Sequence, residues 1–455
     1  MERKLSTSMT EGVIWKAMVL FCIPLLFGNF FQQLYSTVDS IVVGKVVGKE
    51  ALAAIGACDP IIALVINLCA GASAGAGVVI SQLFGAQRDK DLKIAVHTTI
   101  SIAFVLGLVL EIIGLILVPS LMKWIQMPED VIGPGTTYMR VYFAGLLFTV
   151  LFNMTSGILN AVGNSKRSLL YLIIASIINI VLDLIFVLVF RWGIFGAAFA
   201  TVISQFVSCV CSISFLCRCK GQIYGVTLKN LKINKASAAR ILSIGVPSSI
   251  QGVVRCFANI FVQTGINSFG SDAVAGASAY LRVDGFMWMP LMSIGIAAST
   301  FTGQNIGAGK FDRVDEGLKL AIKVSAAYAI TSGFLIMLTA NPVISIFNDE
   351  PGVVQYGVIS IIMYMPFYWL FAIYNTMAGA LTGAGRTIIA MLSSVGAFCV
   401  FRILWMVLLK ATEFVPYTFT SLIAMYPASW ILSLAILMIY MRKVNWTGRK
   451  AERLE

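Results

Sequence analysis

Charge is scarce along this chain. Only 12% of its 455 residues are charged and 58% are hydrophobic, whereas soluble domains carry about a quarter charged residues. This composition excludes a soluble globular protein and indicates a polytopic membrane protein. The chain also has a single histidine, His97, and no phosphate-loop motif of the form GxxxxGKS or GxxxxGKT. We therefore expect no histidine-based catalytic set, no ATP hydrolysis by this chain and no enzyme activity.

Long apolar runs are abundant in this chain. Twelve of them reach about the 20 residues that a helix needs to cross a bilayer. The composition therefore predicts an all-α polytopic membrane protein with twelve transmembrane helices. The predicted spans are 17–44, 51–83, 94–118, 131–160, 168–190, 194–217, 239–268, 273–303, 318–340, 353–381, 387–409 and 416–441.

Lysine and arginine concentrate on one side of this predicted topology. They cluster at the amino terminus, after spans 2, 4 and 8, between spans 6 and 7, and at the carboxy terminus. These clusters are Arg3, Lys4 and Lys16; Arg88, Lys90 and Lys93; Lys166 and Arg167; Arg218, Lys220, Lys229, Lys232, Lys235 and Arg240; Lys310 and Arg313; and Arg442, Lys443, Arg449 and Lys450. The positive-inside rule then places both termini in the cytoplasm and the protein in the cell membrane. The net charge of +12 follows from this topology, so we expect no nucleic-acid partner.

The sequence repeats itself with a constant offset. "SQLFGAQ" at 81–87 returns as "GQNIGAG" at 303–309, so Gln82 and Gln304 lie 222 positions apart. "KEALAAIGA" from residue 49 and "NMTSGILNAVGN" from residue 153 return at the same offset as "SDAVAGASA" and "NTMAGALTGAGR". Each repeat holds six spans, an even number, so both halves enter the membrane from the same side. We therefore expect two parallel six-helix repeats.

This repeat defines the expected domains. We predict an amino-terminal six-helix lobe at 1–217, a basic cytoplasmic linker at 218–238, a carboxy-terminal lobe at 239–441 and a cytoplasmic tail at 442–455. Transporters built from parallel repeats hold their substrate between the two halves. We therefore expect a central cleft that opens alternately to each side. Two internal lobes make a monomer sufficient for function.

The order of several motifs resembles that of the multidrug and toxic compound extrusion (MATE) transporters. The motifs are Pro24, Gln32, Asp39 and Gly44 in span 1, "GAQ" at the end of span 2, Asn179, Leu182, Asp183 and Phe186 in span 5, and "GAAFATVISQ" at the start of span 6. The pattern is similar to the bacterial and archaeal branch that carries acidic residues in its amino-terminal lobe. The resemblance implies an antiporter that uses a cation gradient to expel small amphipathic, often cationic compounds.

Two carboxylates within the membrane are the main site candidates. Counted at about 1.5 Å per helical residue, Asp39, Asp183 and Thr201 all lie roughly 8 to 10 Å inside the outer surface. Asn179 and Asp183 are spaced i, i+4 and share a helix face. Carboxylate, amide and hydroxyl oxygens suit a small cation or a protonated acid.

The resemblance assigns the cation-binding residues of the family to Asp39, Asn179, Asp183 and Thr201. A structural polar network, or an acid that snorkels to the interface, is the alternative interpretation. The coupling ion is either a proton or sodium, because the ligands do not distinguish between them. We expect no other cofactor and no metal centre; in "CVCSISFLCRC" (209–219) cysteines spaced i, i+2 diverge on a helix.

The residues that contact the substrate are harder to predict. A site for varied amphipathic molecules favours adaptable and aromatic side chains, although such residues on membrane helices also pack or face lipid. The candidates are Gln32, Tyr35, Phe152, Asn153, Met287, Met292, Tyr374 and Asn375. Asn153 and Asn375 occupy equivalent repeat positions, so both also fit a role in the scaffold.

Arg255 and Arg402 place positive charge in the second repeat, where they either bind anionic groups or cap carbonyls. A flippase of lipid-linked saccharides with a related two-lobe plan is therefore the alternative function, because it requires a basic cleft in which Arg255 matters more than Asp39. The repeat places Phe261 or Val262 opposite Asp39 and Trp405 opposite Asp183. Neither acid is duplicated, which favours an ion switch over a requirement of the fold.

Overall fold

The computed structural model describes residues 8–125, 127, 129–219, 222–411 and 416–449. Regular structure within these ranges consists of helices, which confirms the predicted all-α class. Arg3, Lys4, Lys220 and Lys450, which contributed to the predicted orientation, lie outside the described residues. Parts of the predicted linker and tail, at 220–221 and 450–455, also lie outside them.

The first half of the chain folds into long helices joined by short turns. They are α1 (Ile14–Val42), α2 (Lys49–Gly85), α3 (Asp89–Trp124), α4 (Glu129–Ala144), α5 (Leu146–Ala161), α6 (Ser165–Asp183) and α7 (Gly193–Arg218). Wider π-helical turns continue α1 over Val43–Val47 and α6 over Leu184–Val189.

The second half follows the same plan with more interruptions. Its helices are α8 (Lys235–Asn267), α9 (Ser271–Gly307), α10 (Phe311–Leu338), α11 (Ala340–Ser345), α12 (Pro351–Tyr364), α13 (Tyr368–Gly383), α14 (Thr387–Ser394), α15 (Phe401–Ala411), α16 (Phe419–Ile423) and α17 (Met425–Lys443). A 3₁₀ turn at Met365–Phe367 joins α12 to α13, and a π-helical segment at Val395–Val400 joins α14 to α15.

Helix length and composition confirm a multi-pass membrane protein. Over the described residues, 10 helical segments are long and apolar enough to span a bilayer, and 11 when α4 and α5, which meet at a 49° bend, count as one span. The sequence predicted twelve. The difference is α9, which is 37 residues long but carries Arg282 and Asp284 and does not meet the same apolar criterion.

The backbone reproduces the sequence repeat. Three pairs of residues with positive φ lie 222 positions apart: Gly48 and Gly270, Gln87 and Gly309, and Gly163 and Gly385. Glycine is favoured at such positions because it has no Cβ to clash. Helices α2 and α9, which lie between the first two pairs of turns, are each 37 residues long. The two halves therefore share their turns as well as their sequence motifs.

The chain forms two compact units whose limits cut through α1 and α8. The amino-terminal unit contains Ile23–Ser249, and the carboxy-terminal unit contains Met9–Cys22 together with the described residues from Ile250 onward. The first part of α1 therefore belongs to the second unit, and the first part of α8 belongs to the first. The lobe and linker limits at 217 and 239 stay predictions.

Equivalent helix pairs pack closely in the two units. In the amino-terminal unit α5 packs against α2, and a Cβ at Gly157 would overlap the hydroxyl of Ser73. In the carboxy-terminal unit α13 packs against α9, and a Cβ at Gly379 would overlap the carbonyl oxygen of Gly295. Both contacts occur at the repeat offset. Small residues allow such close approach, as is common in membrane helices.

Candidate ion-binding site

Both predicted acids lie just before π-helical turns in the amino-terminal unit. Asp39 lies in the last turn of α1 and is 8% exposed, and Asp183 is the last residue of α6 and is 0% exposed. The π-helical segments that follow them contact each other and α7. A π-helical turn changes the direction in which side chains leave the helix, and such turns are frequent at functional sites.

The amide and hydroxyl predicted for this site lie together across α6 and α7. Asn179 lies one turn before Asp183 and is 1% exposed. Its Nδ2 donates a hydrogen bond to Oγ1 of Thr201 over 3.4 Å, and that hydroxyl donates to the carbonyl of Ala197 over 3.3 Å. Asn179 and Asp183, spaced i, i+4 on α6, are therefore both buried, and Asn179 is bonded to Thr201 of α7.

Buried oxygens of this site lack partners. Oδ1 of Asp39, both carboxylate oxygens of Asp183 and Oδ1 of Asn179 accept no hydrogen bond from the described residues. Buried polar atoms are nearly always satisfied, and an unsatisfied one costs about 1 to 3 kcal/mol. A proton or a small cation would satisfy these oxygens.

The site is also strongly negative. The charges of Asp39 and Asp183 are close enough to repel each other, and Asp59 on α2 adds a third negative charge near Asp39. Over the described residues, no lysine or arginine forms an ion pair with any of these three acids. Sequence reasoning gave Asp59 no role, although an acid within a predicted span is a signal of function.

One substrate candidate of the amino-terminal unit lies near the acids, a second lies beside it on α1, and two lie in packing positions. Gln32 and Tyr35 share a hydrogen bond on α1. Tyr35 also lies within electrostatic range of the carboxylates of Asp39 and Asp183. Phe152 is 8% exposed within the hydrophobic core. The side-chain amide of Asn153 donates to the carbonyl of Thr149 over 2.8 Å. That contact lies within its own helix.

The candidates in the carboxy-terminal unit make structural contacts. Met287 is 1% exposed in the core, and Met292 is partly buried. The hydroxyl of Tyr374 accepts a hydrogen bond from Gln251 over 3.4 Å, and Nδ2 of Asn375 donates to the carbonyl of Leu291 over 2.8 Å. These bonds tie α13 to α8 and α9.

Arg255, the remaining candidate, lines a separate cavity of about 200 Å³ within the carboxy-terminal unit. Asp284 and Arg402 line it as well. Asp284 and Arg402 are both charged residues within predicted spans, but no site role was predicted for Asp284. None of the other four candidates of this unit lines that cavity.

A family model provides the decisive comparison. The MatE model matches the chain twice, at residues 24–185 and 247–408. The two matches are equal in length, and they begin at Pro24 and Pro247, which lie 223 positions apart, one more than the repeat offset. The chain belongs to the MatE family. Members of this family are membrane transporters of small molecules, so the predictions of the family and of a protein without enzyme activity are confirmed.

Individual relatives support this assignment. The MatE chain is 28% identical over 447 residues to "Probable multidrug resistance protein YoeA" of Bacillus subtilis, covering 97% of this chain and 96% of that protein. It is 24% identical to "FAD transporter" of Shewanella oneidensis, over 75% of this chain and 76% of that one.

A solved structure described as MATE in the bent conformation superposes with a TM-score of 0.89 at 22% identity, covering 97% of both chains. At this identity the match establishes the fold alone. It confirms the predicted MATE-like architecture.

Proposed function

We propose that this MatE protein is a secondary active multidrug efflux transporter that exchanges amphipathic, often cationic compounds for protons or sodium ions. The name of the Bacillus subtilis relative supports the class of substrate. The observation that carries the coupling is the pair of buried acids, Asp39 and Asp183. Among the described residues, Oδ1 of Asp39 and both carboxylate oxygens of Asp183 have no hydrogen-bond partner, and neither acid forms an ion pair. We place the protein in the cell membrane as a monomer with both termini in the cytoplasm, and it needs no cofactor beyond the coupling ion.

Competition between the coupling ion and a cationic substrate for the two carboxylates explains the exchange. With both acids ionised, the site holds two negative charges away from water, which is costly unless a cation is near. A cationic substrate stabilises that state. A proton or sodium ion at the acids removes the attraction, so ion and substrate exclude each other. Coupled to alternating access, this exclusion makes entry of the ion release the substrate.

Asn179 and Thr201 supply neutral oxygens to the ion. Their mutual hydrogen bond fixes the amide and leaves Oδ1 of Asn179 without a partner among the described residues. Sodium prefers oxygen ligands of this kind. Tyr35, which lies near both acids, and its neighbour Gln32 on α1 are the side chains that we expect a cationic substrate to contact first.

The flippase of lipid-linked saccharides remains the alternative. It requires Arg255 to matter more than Asp39 for transport. The relative from Shewanella oneidensis named as an FAD transporter indicates that compounds other than drugs also have to be tested.

Substrate-dependent ion flux in proteoliposomes tests the proposal. Asp39→Asn and Asp183→Asn remove the charges with little change of shape, and each should reduce ion-coupled efflux by about a hundredfold, because a charge in a dry site contributes several kcal/mol. Glu111→Gln is the matched control. Its carboxylate lies on α3 and accepts a bond from the amide of Leu147, so exchange should continue.

Unchanged exchange in both aspartate variants would contradict the mechanism. Loss of transport in Arg255→Ala alone, together with movement of lipid, would favour the flippase.

A further inference from the structure

The cavity of the carboxy-terminal unit has the size and chemistry of a ligand site. Its volume is about 200 Å³, somewhat more than the cavity of about 150 Å³ that holds benzene in an engineered protein. An aromatic ligand of one or two rings therefore fits. Its polar and aromatic wall includes Arg255, Asn259, Asp284, Tyr364, Arg402 and Tyr426.

Arg402 supplies a buried positive charge that faces this space. It is 5% exposed, and its Nε donates to the hydroxyl of Ser429 over 3.0 Å. Its guanidinium lies 4.1 Å from the ring centre of Tyr426 and 5.0 Å from that of Phe398. Stacking on two rings fixes the plane of the guanidinium, so its donors are preorganised for a planar anion.

No anion within the described residues neutralises this charge. Arg402 has no carboxylate within ion-pair distance, and its two terminal nitrogens have no hydrogen-bond acceptor there. Arg255 lies near enough for the two arginine charges to repel each other. Burial of a cation without a counter-ion costs free energy. An anion bound at this wall would therefore stabilise Arg402.

Asp284, the acid of this cavity, is engaged by tyrosines. The hydroxyl of Tyr280 donates to its Oδ1 over 3.0 Å, and Tyr368 also forms a hydrogen bond with this carboxylate. Among the described residues, this carboxylate forms no ion pair with Arg402. This cluster contains two arginines, Arg255 and Arg402, and one acid, Asp284, so its formal charge is positive.

Aromatic rings form much of the remaining wall. The ring centre of Tyr364 lies 4.7 Å from that of Tyr280 and 4.9 Å from that of Tyr426. Trp430 lies 5.4 Å from Tyr368. Such surfaces favour a flat, apolar ring system.

We propose that this cavity binds a planar aromatic anion, a carboxylate or a phosphate ester, with its charge on Arg402 and Arg255 and its rings against the tyrosines. The proposal is independent of the ion site at Asp39 and Asp183. It assigns the second repeat a ligand of opposite charge to the one that the first repeat attracts.

Calorimetric titration of the purified protein in detergent tests it with three probes of similar shape: 2-naphthoate, 2-naphthyl phosphate and the neutral 2-naphthamide. Both anions, or one of them, should bind at least tenfold more tightly than the amide. The stronger anion identifies the carboxylate or the phosphate as the natural group. Equal binding of all three probes, or binding of none, would overturn the proposal.

Single substitutions locate the binding. Arg402→Gln should weaken anion binding about tenfold, and so should Arg255→Gln, whose arginine is partly exposed. Asp284→Asn should strengthen anion binding severalfold, because it removes the negative charge of Asp284 from the cluster. Arg282→Gln, an exposed arginine on the same helix as Asp284, and Asp39→Asn in the other unit are controls that should bind as the unaltered protein does.

If Arg402→Gln does not fold, Arg255→Gln and Asp284→Asn still decide the question. Anion affinity that stays the same in both of them would refute the assignment. Loss of ion-coupled efflux in Asp39→Asn with intact anion binding would separate this site from the proposed antiport.

Discussion

The two units of this MatE protein share a backbone plan and differ in the sign of their buried charge. In the amino-terminal unit, Oδ1 of Asp39 and both carboxylate oxygens of Asp183 are buried acid oxygens without a hydrogen-bond partner among the described residues. In the carboxy-terminal unit the buried charge without a counter-ion within the described residues is Arg402. At the repeat offset, Trp405 replaces Asp183, and its indole donates to the carbonyl of Ser421 over 3.0 Å.

This difference shows which residues the fold requires. The turns at Gly48 and Gly270 and the close contacts at Gly157 and Gly379 are kept in both halves. The charged residues are not kept. The scaffold is therefore set by small residues and turns, and the buried charges were free to diverge between the repeats.

The largest expected effect tests the shared helix packing. Gly379→Ala should destabilise the protein by about 3 kcal/mol, because its Cβ would meet the backbone of Gly295, which cannot move away. Gly157→Ala should cost about 1.5 kcal/mol, because the nearest atom is the hydroxyl of Ser73, which can rotate away at the loss of its 2.8 Å hydrogen bond to the carbonyl of Asn153. Unfolding in mixed detergent micelles measures both. Equal losses would show that the two contacts are equally adaptable.

A smaller effect is expected where the first turns of two equivalent helices, α3 and α10, carry different charges. Arg313 binds the carbonyls of Met9, Glu11 and Gly12 over 3.2, 2.9 and 2.8 Å, whereas its repeat mate, Asp91, forms an exposed ion pair with Arg88 at 2.8 Å. Arg313→Ala should cost about 2 kcal/mol, and Asp91→Ala at most about 0.5 kcal/mol.

The same unfolding experiment measures this pair. If Arg313→Ala were as stable as Asp91→Ala, the segment that begins at Met9 would not depend on these bonds for its place in the carboxy-terminal unit.

The smallest effect concerns a single hydroxyl of the ion site. Thr201→Val keeps the shape and removes the group that accepts the bond from Asn179, so the apparent affinity for the coupling ion should fall about fivefold. Thr201→Ser should retain it. Ion titration of efflux in proteoliposomes measures the change.

Thr382→Val is the control for that change. Its hydroxyl likewise bonds a carbonyl one turn earlier, that of Ala378, over 2.8 Å, but it lies in the carboxy-terminal unit. A similar loss of ion affinity in both valine variants would show that Thr201 has no special role at the site.

The membrane class, the repeat and the presence of acids within apolar spans were predictable because each is visible in the sequence without knowledge of tertiary contacts. A carboxylate within an apolar run stands out whatever its neighbours are, as Asp39 does. The environment of Asp284 was only partly predictable, since Tyr280 lies one turn earlier on the same helix, whereas Tyr368 comes from α13, far along the chain. The same limit applies to Met287, whose burial depends on how α9 is rotated within the unit.

The π-helical turns after Asp39 and Asp183 also had no sequence signal, and the segment at Leu184–Val189 has a consequence for insertions and deletions. In a regular membrane helix, deletion of one residue rotates everything beyond it by about 100° relative to everything before it. A π turn already holds one residue more than an α turn. Deletion of one residue there would convert it to a regular turn without lengthening or shortening the adjoining helices. The segment at Leu184–Val189 can therefore lose one residue without changing the relative rotation of the helical turns on either side of it.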